Sequence, residues 1–344
     1  MSERKIDTRT ATVGIDEVIA ASTALAWAAQ WDAAARLLAS ARIAADATVP
    51  HDDAALRLTV AVAMVAVHHD FRTAGPRWAP VAMAAAEAAM ATAKDDMGAT
   101  EDAMGPAEAD SAAASTADEP AHDGAAAEAE AALRRRLARL RLQYDYEIAL
   151  TEPDGTPRFG PEGRDPAHLA ALARRAEELA AAANDANDAN DANDANDAND
   201  ANEPDVAGSG WAAFYRGLIA DNLIGDRDDA PRWFARALGA AKRASDDYLA
   251  GEALRHLGDH EMEAGDLAAA RASWERSAEL WAGIGNVTGV LAQQLLLADL
   301  AFGEGNLAGG TAIAAEVSRW AGAAGLALYQ RSADQLIESH RPSH

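Results

Sequence analysis

His256 and His260 stand four residues apart, flanked by Asp259 and Glu261. On a helix that spacing puts both imidazoles on one face, an arrangement able to hold zinc. A catalytic zincin needs Glu directly after the first histidine, and Leu257 occupies that place. No third ligand follows at a useful spacing. His68, His69 and Asp70 close an apolar stretch, where imidazolium charge suits the negative end of a helix. No P-loop, Gly-x-Gly-x-x-Gly after a strand or Gly-x-Ser-x-Gly elbow is present. The absence of cysteine removes disulfides, thiolate zinc sites and cysteine nucleophiles. Asp and Glu are so frequent that any carboxylate pair arises by chance. The sequence therefore implies no catalytic residue, no metal and no cofactor: a protein that is not an enzyme.

Basic side chains cluster once, at Arg134, Arg135, Arg136, Arg139 and Arg141. They fill the second half of a helix opened by Glu128 and Glu130, the polarity that the helix dipole favours. Leu133, Leu137, Leu140 and Ile148 supply its apolar stripe. Without interleaved aromatics or a helix-turn-helix, the cluster reads as a solvated face or as a docking strip for acidic segments of the same chain. The whole chain of 344 residues carries a formal charge of -25, which opposes binding to nucleic acid. That charge is unevenly placed. Residues 95–130 hold 11 acids and residues 183–205 hold 8, with no Lys or Arg in either. The remainder has 36 acids against 30 bases, close to balance.

The elements that must position such groups are helical. Alanine contributes 93 residues, and its propensity and small size favour helices that approach closely. No stretch alternates as a strand does. Val60, Val62, Val65 and Val67 are β-branched, but they lie in an alanine-filled stretch over residues 52–70 that reads as a buried helix. The longest strongly apolar run, residues 58–67, is half of the about 20 residues a bilayer span needs. The charged start of the chain leaves no room for a signal-peptide core, so a soluble, cytoplasmic protein without a membrane partner is expected. Two segments break the helical pattern. Residues 95–124 are alanine, acid, serine and threonine with Pro106 and Pro120, a composition that buries too little to order itself. Residues 183–200 are six copies of Ala-Asn-Asp. Continuing a helix through their twelve Asn and Asp residues costs about 0.6–0.7 kcal/mol each, or about 8 kcal/mol in all. The tract lacks the glycine of a calcium loop, so a spacer is expected rather than a calcium site. The expected organisation is a helical repeat-like block over 1–94 and an acidic linker over 95–124. An Arg-rich helical hairpin over 125–183, a low-complexity linker over 184–209 and a repeat block over 210–344 follow.

That last block repeats every 40 residues. Gly225-Asp226, Gly265-Asp266 and Gly305-Asn306 share this spacing, each followed five residues after its glycine by Ala230, Ala270 or Gly310. Gly258 and Ala298 stand seven residues before the last two, and Gly285 and Gly325 mark a second turn. Each unit is two helices joined by a turn, in which glycine ends one helix and Asp or Asn caps the next. A fixed period of this length signals stacked hairpins, each completing its core on its neighbour.

The small residue, Gly-Asp turn and small residue resemble a tetratricopeptide repeat, in a 40-residue form like that of alanine-rich bacterial regulatory and scaffold proteins. The likeness covers about residues 211–340. It is weaker around residues 24–45, where the turn glycine is missing and Arg42 replaces a small residue. The resemblance implies an all-α solenoid of antiparallel hairpins, a right-handed superhelix, with two disordered acidic insertions. Its concave face, formed by the first helix of each pair, would show Tyr215, Asn222, Glu252, Arg255, Asp259, Asp299 and Gln335. Such faces hold extended peptides, so the expected function is a non-catalytic adaptor or scaffold for a peptide or protein segment. A ligand-responsive regulatory domain of a bacterial signalling or transcriptional system is the alternative. Singly, each of these residues also reads as a solvated helix position, and Arg255 with Asp259 as an ordinary i, i+4 pair.

Overall fold

The structure is a computed structural model that describes residues 14–46, 53–73, 78–103, 120–152, 156–190 and 206–341. Among them lie thirteen α-helices: α1 (Ile15–Trp27), α2 (Trp31–Asp46), α3 (Asp53–Thr73), α4 (Ala79–Ala103), α5 (Pro120–Leu150), α6 (Pro166–Asn190), α7 (Val206–Leu218), α8 (Ala230–Arg243), α9 (Asp247–Glu263), α10 (Leu267–Gly283), α11 (Val287–Gly303), α12 (Leu307–Ala323) and α13 (Ala327–Ser339). A π-helical turn, Ile219–Ile224, prolongs α7. No strand occurs among the described residues, and none of their helices is long and apolar enough to cross a membrane.

Turn chemistry recurs every 20 residues. Gly265, Gly285, Gly305 and Gly325 all have φ between 72° and 80°, the left-handed conformation that ends a helix most cheaply on glycine. Ser245 and Ala29 take the same conformation in the α8–α9 and α1–α2 turns, at φ 51° and 59°. The residue after the turn then caps the next helix. Asp246, Asp266, Asn286 and Asn306 each accept a backbone N–H three residues on, at 2.9–3.1 Å. Connections this short force neighbouring helices to run antiparallel. Every helix packs on the one after it, and α1–α3, α3–α5, α5–α7, α7–α9 and α11–α13 also touch.

Packing between these helices joins a glycine to an aromatic ring. A Cβ built on Gly217 would stand 2.6 Å from Phe234, and one on Gly258 would stand 2.5 Å from Trp274. Trp281 is fully buried between Gly251 of α9 and Gly289 of α11, and a Cβ on either would overlap its indole. Small residues at fixed repeat positions are therefore sockets for rings of the adjoining helix.

One position breaks this rule. Gln293 falls 40 residues after Ala253 and 40 before Ala333; all three are 0% exposed. Both polar atoms of the Gln293 amide lack a hydrogen-bond partner. A buried amide without partners costs about 1–3 kcal/mol. Gln293→Met, which keeps the unbranched shape, is therefore expected to raise stability by about that amount. The check is a higher urea midpoint at unchanged slope; a lower midpoint would contradict it.

Several boundaries differ from those expected. Helix α6 runs through the first Ala-Asn-Asp copies to Asn190, because extending a formed helix avoids the cost of nucleation. Helix α4 passes residue 94 and continues to Ala103, again by propagation of a helix already formed, and α5 begins at Pro120, a favoured residue at a helix start. Helix α7 begins at Val206, earlier than the expected 210. The remainder of both acidic linkers, residues 104–119 and 191–205, lies outside the described residues.

Helix α5 packs against helices that precede it and helices that follow it. Leu137 and Leu140 pack with α3 and α4, while Leu142, Tyr146 and Leu150 enter the core of α6, α7 and α8. Ile148 is not part of that stripe but is 44% exposed. The arginine cluster is partly consumed within the fold: Arg134 pairs with Glu130, and Arg141 pairs with both Glu87 and Asp145 at 3.0 Å.

Candidate functional site

The π-helical turn inserts one residue into the repeat. Gly258 precedes its turn glycine by seven residues, whereas Gly217, which receives Phe234 as Gly258 receives Trp274, precedes Gly225 by eight. The wider turn absorbs the difference. On α7 the repeat register is therefore one residue out from that read in the sequence. The residues equivalent to Glu252, Arg255 and Asp259 are Trp211, Phe214 and Leu218. The turn also turns the Asn222 carbonyl outward, and the Gly160 N–H of the α5–α6 loop donates to it at 2.8 Å.

Around this turn the structure brings five of the sequence-derived residues together. The Asn222 amide donates to the Tyr146 hydroxyl at 2.7 Å, and the Tyr146 ring lies 5.8 Å from that of Tyr215. Tyr215 and Glu252 are buried, whereas Asn222, Arg255 and Asp259 are half-buried. The Trp274 indole donates to the Arg255 carbonyl at 3.1 Å and to the Asp259 carboxylate at 3.2 Å. Asp259 is thus turned toward α10, while the Arg255 guanidinium lies 3.2 Å from His256 Nε2. Burial pushes the Asp259 carboxyl above its usual range, against the nearby Arg255 charge. Burial also pushes both phenols upward; the hydrogen bond from Asn222 opposes the shift for Tyr146, and the Glu147 charge adds to it for Tyr215. Asp299 and Gln335 lie farther along, exposed on α11 and α13.

The two histidines of α9 serve separate contacts. His256 stacks on Phe234 at 4.9 Å, and His260 Nε2 lies 3.4 Å from the Asp221 carboxylate, which Arg227 also approaches at 3.2 Å. Among the described residues no group of three or more His, Asp or Glu side chains assembles as metal ligands. The Ala-Asn-Asp copies after Asn190 fall outside the described residues.

Sequence reasoning missed the aromatic column beside this cluster. Trp211 stacks with Tyr215 at 6.3 Å and with Tyr248 at 5.5 Å. Trp27 of α1 then stacks on Tyr248 at 5.4 Å, and His68 of α3 lies 5.9 Å from the same ring. Ala29, in the turn after α1, packs with the α11–α13 cluster around Val287 and Tyr329. The available signal was scarcity: with only 5 Tyr and 8 Trp in the chain, aromatics on successive first helices were candidates for one shared surface.

Chemically, the arrangement offers ring faces, a phenol, an amide, two carboxylates and a guanidinium on adjoining helices. It contains no nucleophile held by a base. Fold and site together define an all-α protein of consecutively packed helices with a partly buried polar and aromatic cluster. No family model matches the sequence, and no curated protein matches it.

Proposed function

We propose that this chain is a non-catalytic interaction module, a tetratricopeptide-like solenoid acting as adaptor or scaffold for a peptide or protein segment. The observation that supports this reading is the juxtaposition of α5, α7 and α9. Tyr146, Tyr215, Asn222, Glu252, Arg255 and Asp259 form one cluster from three helices that are not neighbours in sequence. An extended peptide would add backbone donors for the carboxylates and a terminal or side-chain charge for the half-buried Arg255. Trp211, half-buried beside the cluster, adds flat area at low entropic cost.

The test is selection from a displayed random-peptide library, with enriched peptides then measured by calorimetry. Changing Arg255→Ala and Asp259→Ala together is expected to weaken the enriched peptides at least about tenfold, or about 1.4 kcal/mol. Equal affinity for the double variant with unchanged helicity would contradict the reading.

The regulatory alternative has one observation in its favour. Trp27 and His68 reach across from α1 and α3 to Tyr248 of α9, so access to the cluster is coupled to the position of the N-terminal helices. A ligand that engages Tyr248 would displace or lock that contact.

A further inference from the structure

Helix α8 carries a basic strip. Arg232, Arg236 and Arg243 recur at intervals of four and seven, which places them on one helical face, with Lys242 beside the last of them. All four side chains are exposed. Trp233 lies within the strip and is held by three guanidinium groups: Arg216, Arg232 and Arg236 stand 5.2, 5.3 and 5.7 Å from its ring. Arg232, Trp233 and Arg236 line an open cleft of about 310 Å³. Arg232 is paired with Asp229, but Arg236 donates to the Ala180 carbonyl of α6, and neither Lys242 nor Arg243 has a carboxylate within 4 Å among the described residues.

That contact with Ala180 fixes where the acidic tract leaves the fold. Arg216 meets Glu177, whereas Gly160, ahead of α6, meets Asn222 at the far end of α7. Gly217 meets Phe234 and Gly210 meets Ala240. Helices α6 and α8 each run against α7, so they run in the same direction. Counting forward from the Ala180–Arg236 contact, residue 187 of α6 falls level with Arg243. The Ala-Asn-Asp copies therefore begin alongside the basic end of α8. The tract then continues through 191–205, with acids at 191, 194, 197, 200, 203 and 205 and no base, before α7 starts at Val206. Both ends of this segment are anchored within the same helical group.

We propose that the segment 191–205 docks in cis on the α8 strip, its carboxylates meeting Arg232, Arg236, Lys242 and Arg243. Its charge complements the strip, and its attachment beside Arg243 supplies a high effective concentration. Attraction between exposed charges of this kind is screened by salt. A docked tract neutralises α8. The proposal is independent of the inner-face reading, because it uses none of those residues.

The composition provides a clean test in the full chain. Lysine occurs only at 5, 94 and 242. Zero-length carbodiimide crosslinking, which joins an amine to a carboxylate with loss of water, is expected to link Lys242 to residues 191–205. The yield should fall several-fold at about 1 M salt, where the Debye length is about 3 Å. It should fall similarly in the Arg232→Glu, Arg236→Glu, Arg243→Glu variant. A yield that salt and charge reversal leave unchanged would mean proximity by tethering alone and would overturn the proposal. So would the absence of Lys242 crosslinks, or crosslinks found only between molecules. Should the triple variant lose helicity, the indole N–H resonance of Trp233, assigned with Trp233→Phe, gives a second readout. It should shift when Asp191, Asp194, Asp197 and Asp200 are changed to Asn, which leaves α8 intact. An unmoved resonance would equally overturn the docking.

Discussion

Trp281→Ala is expected to cost about 3–5 kcal/mol, the range for deleting a buried large aromatic side chain. Trp281 is the largest fully buried side chain among the described residues, and its indole donates to the Tyr248 carbonyl at 3.2 Å. Three helices lose their common filler when it is removed, since the ring lies between Gly251 of α9 and Gly289 of α11. The same geometry predicts the reverse fault. Gly251→Ala drives a methyl into the indole and is expected to cost about 1–3 kcal/mol by overpacking. The two changes share one space, so their double variant should be less destabilised than the sum. Chemical denaturation of the three variants measures this; strict additivity would show that glycine and ring do not interlock.

The second large effect is on alkaline stability. Burial raises the phenol pKa of both Tyr146 and Tyr215 above the ordinary value near 10. For an acid shifted in this direction, the folded state keeps a proton that the unfolded state releases. The contribution of each tyrosine is therefore complete below about pH 10 and is lost as pH rises above it. The expected slope is up to about 1.4 kcal/mol per pH unit for each, or about 2.7 for the two. Phenolate absorbance from these residues should appear only together with loss of helicity. The Tyr146→Phe, Tyr215→Phe variant should flatten the slope, although it leaves the Asn222 amide without its partner and so starts from a lower stability. Ionisation of both tyrosines with helicity intact would contradict their burial.

The helical hairpins were legible because their punctuation is local. Gly265-Asp266, Gly285-Asn286 and Gly305-Asn306 each specify a left-handed stop and a cap within two residues, and the structure uses each in that way. The π-helical turn was not legible in the same terms. It appears in sequence only as a one-residue lengthening between Gly217 and Gly225, whose meaning depends on Phe234 seating against Gly217. Its consequence reached the candidate site directly, by shifting the register of α7. The end of α6 was misjudged for a different reason. Summing propensities treats each Asn and Asp as independent, whereas a helix already formed and packed propagates beyond the residues that favour it.

The candidate cluster was legible in part. Tyr215, Asn222, Glu252, Arg255 and Asp259 converge, but the groups that connect them, Tyr146 and the Trp274 indole, belong to helices at other positions in the repeat. Asp221, 7% exposed beside His260 and Arg227, is likewise a product of the wider turn and of tertiary packing. The contact of Trp27 with Tyr248 joins residues more than two hundred positions apart, and no local pattern announces it.

The most direct test of the inner-face account is amide hydrogen exchange of the full chain with and without an enriched peptide. The account predicts added protection over 211–224 and 248–260, with α8, α10 and α12 unchanged on their outer surfaces. Protection confined to those outer helices, with none at α7 or α9, would contradict it.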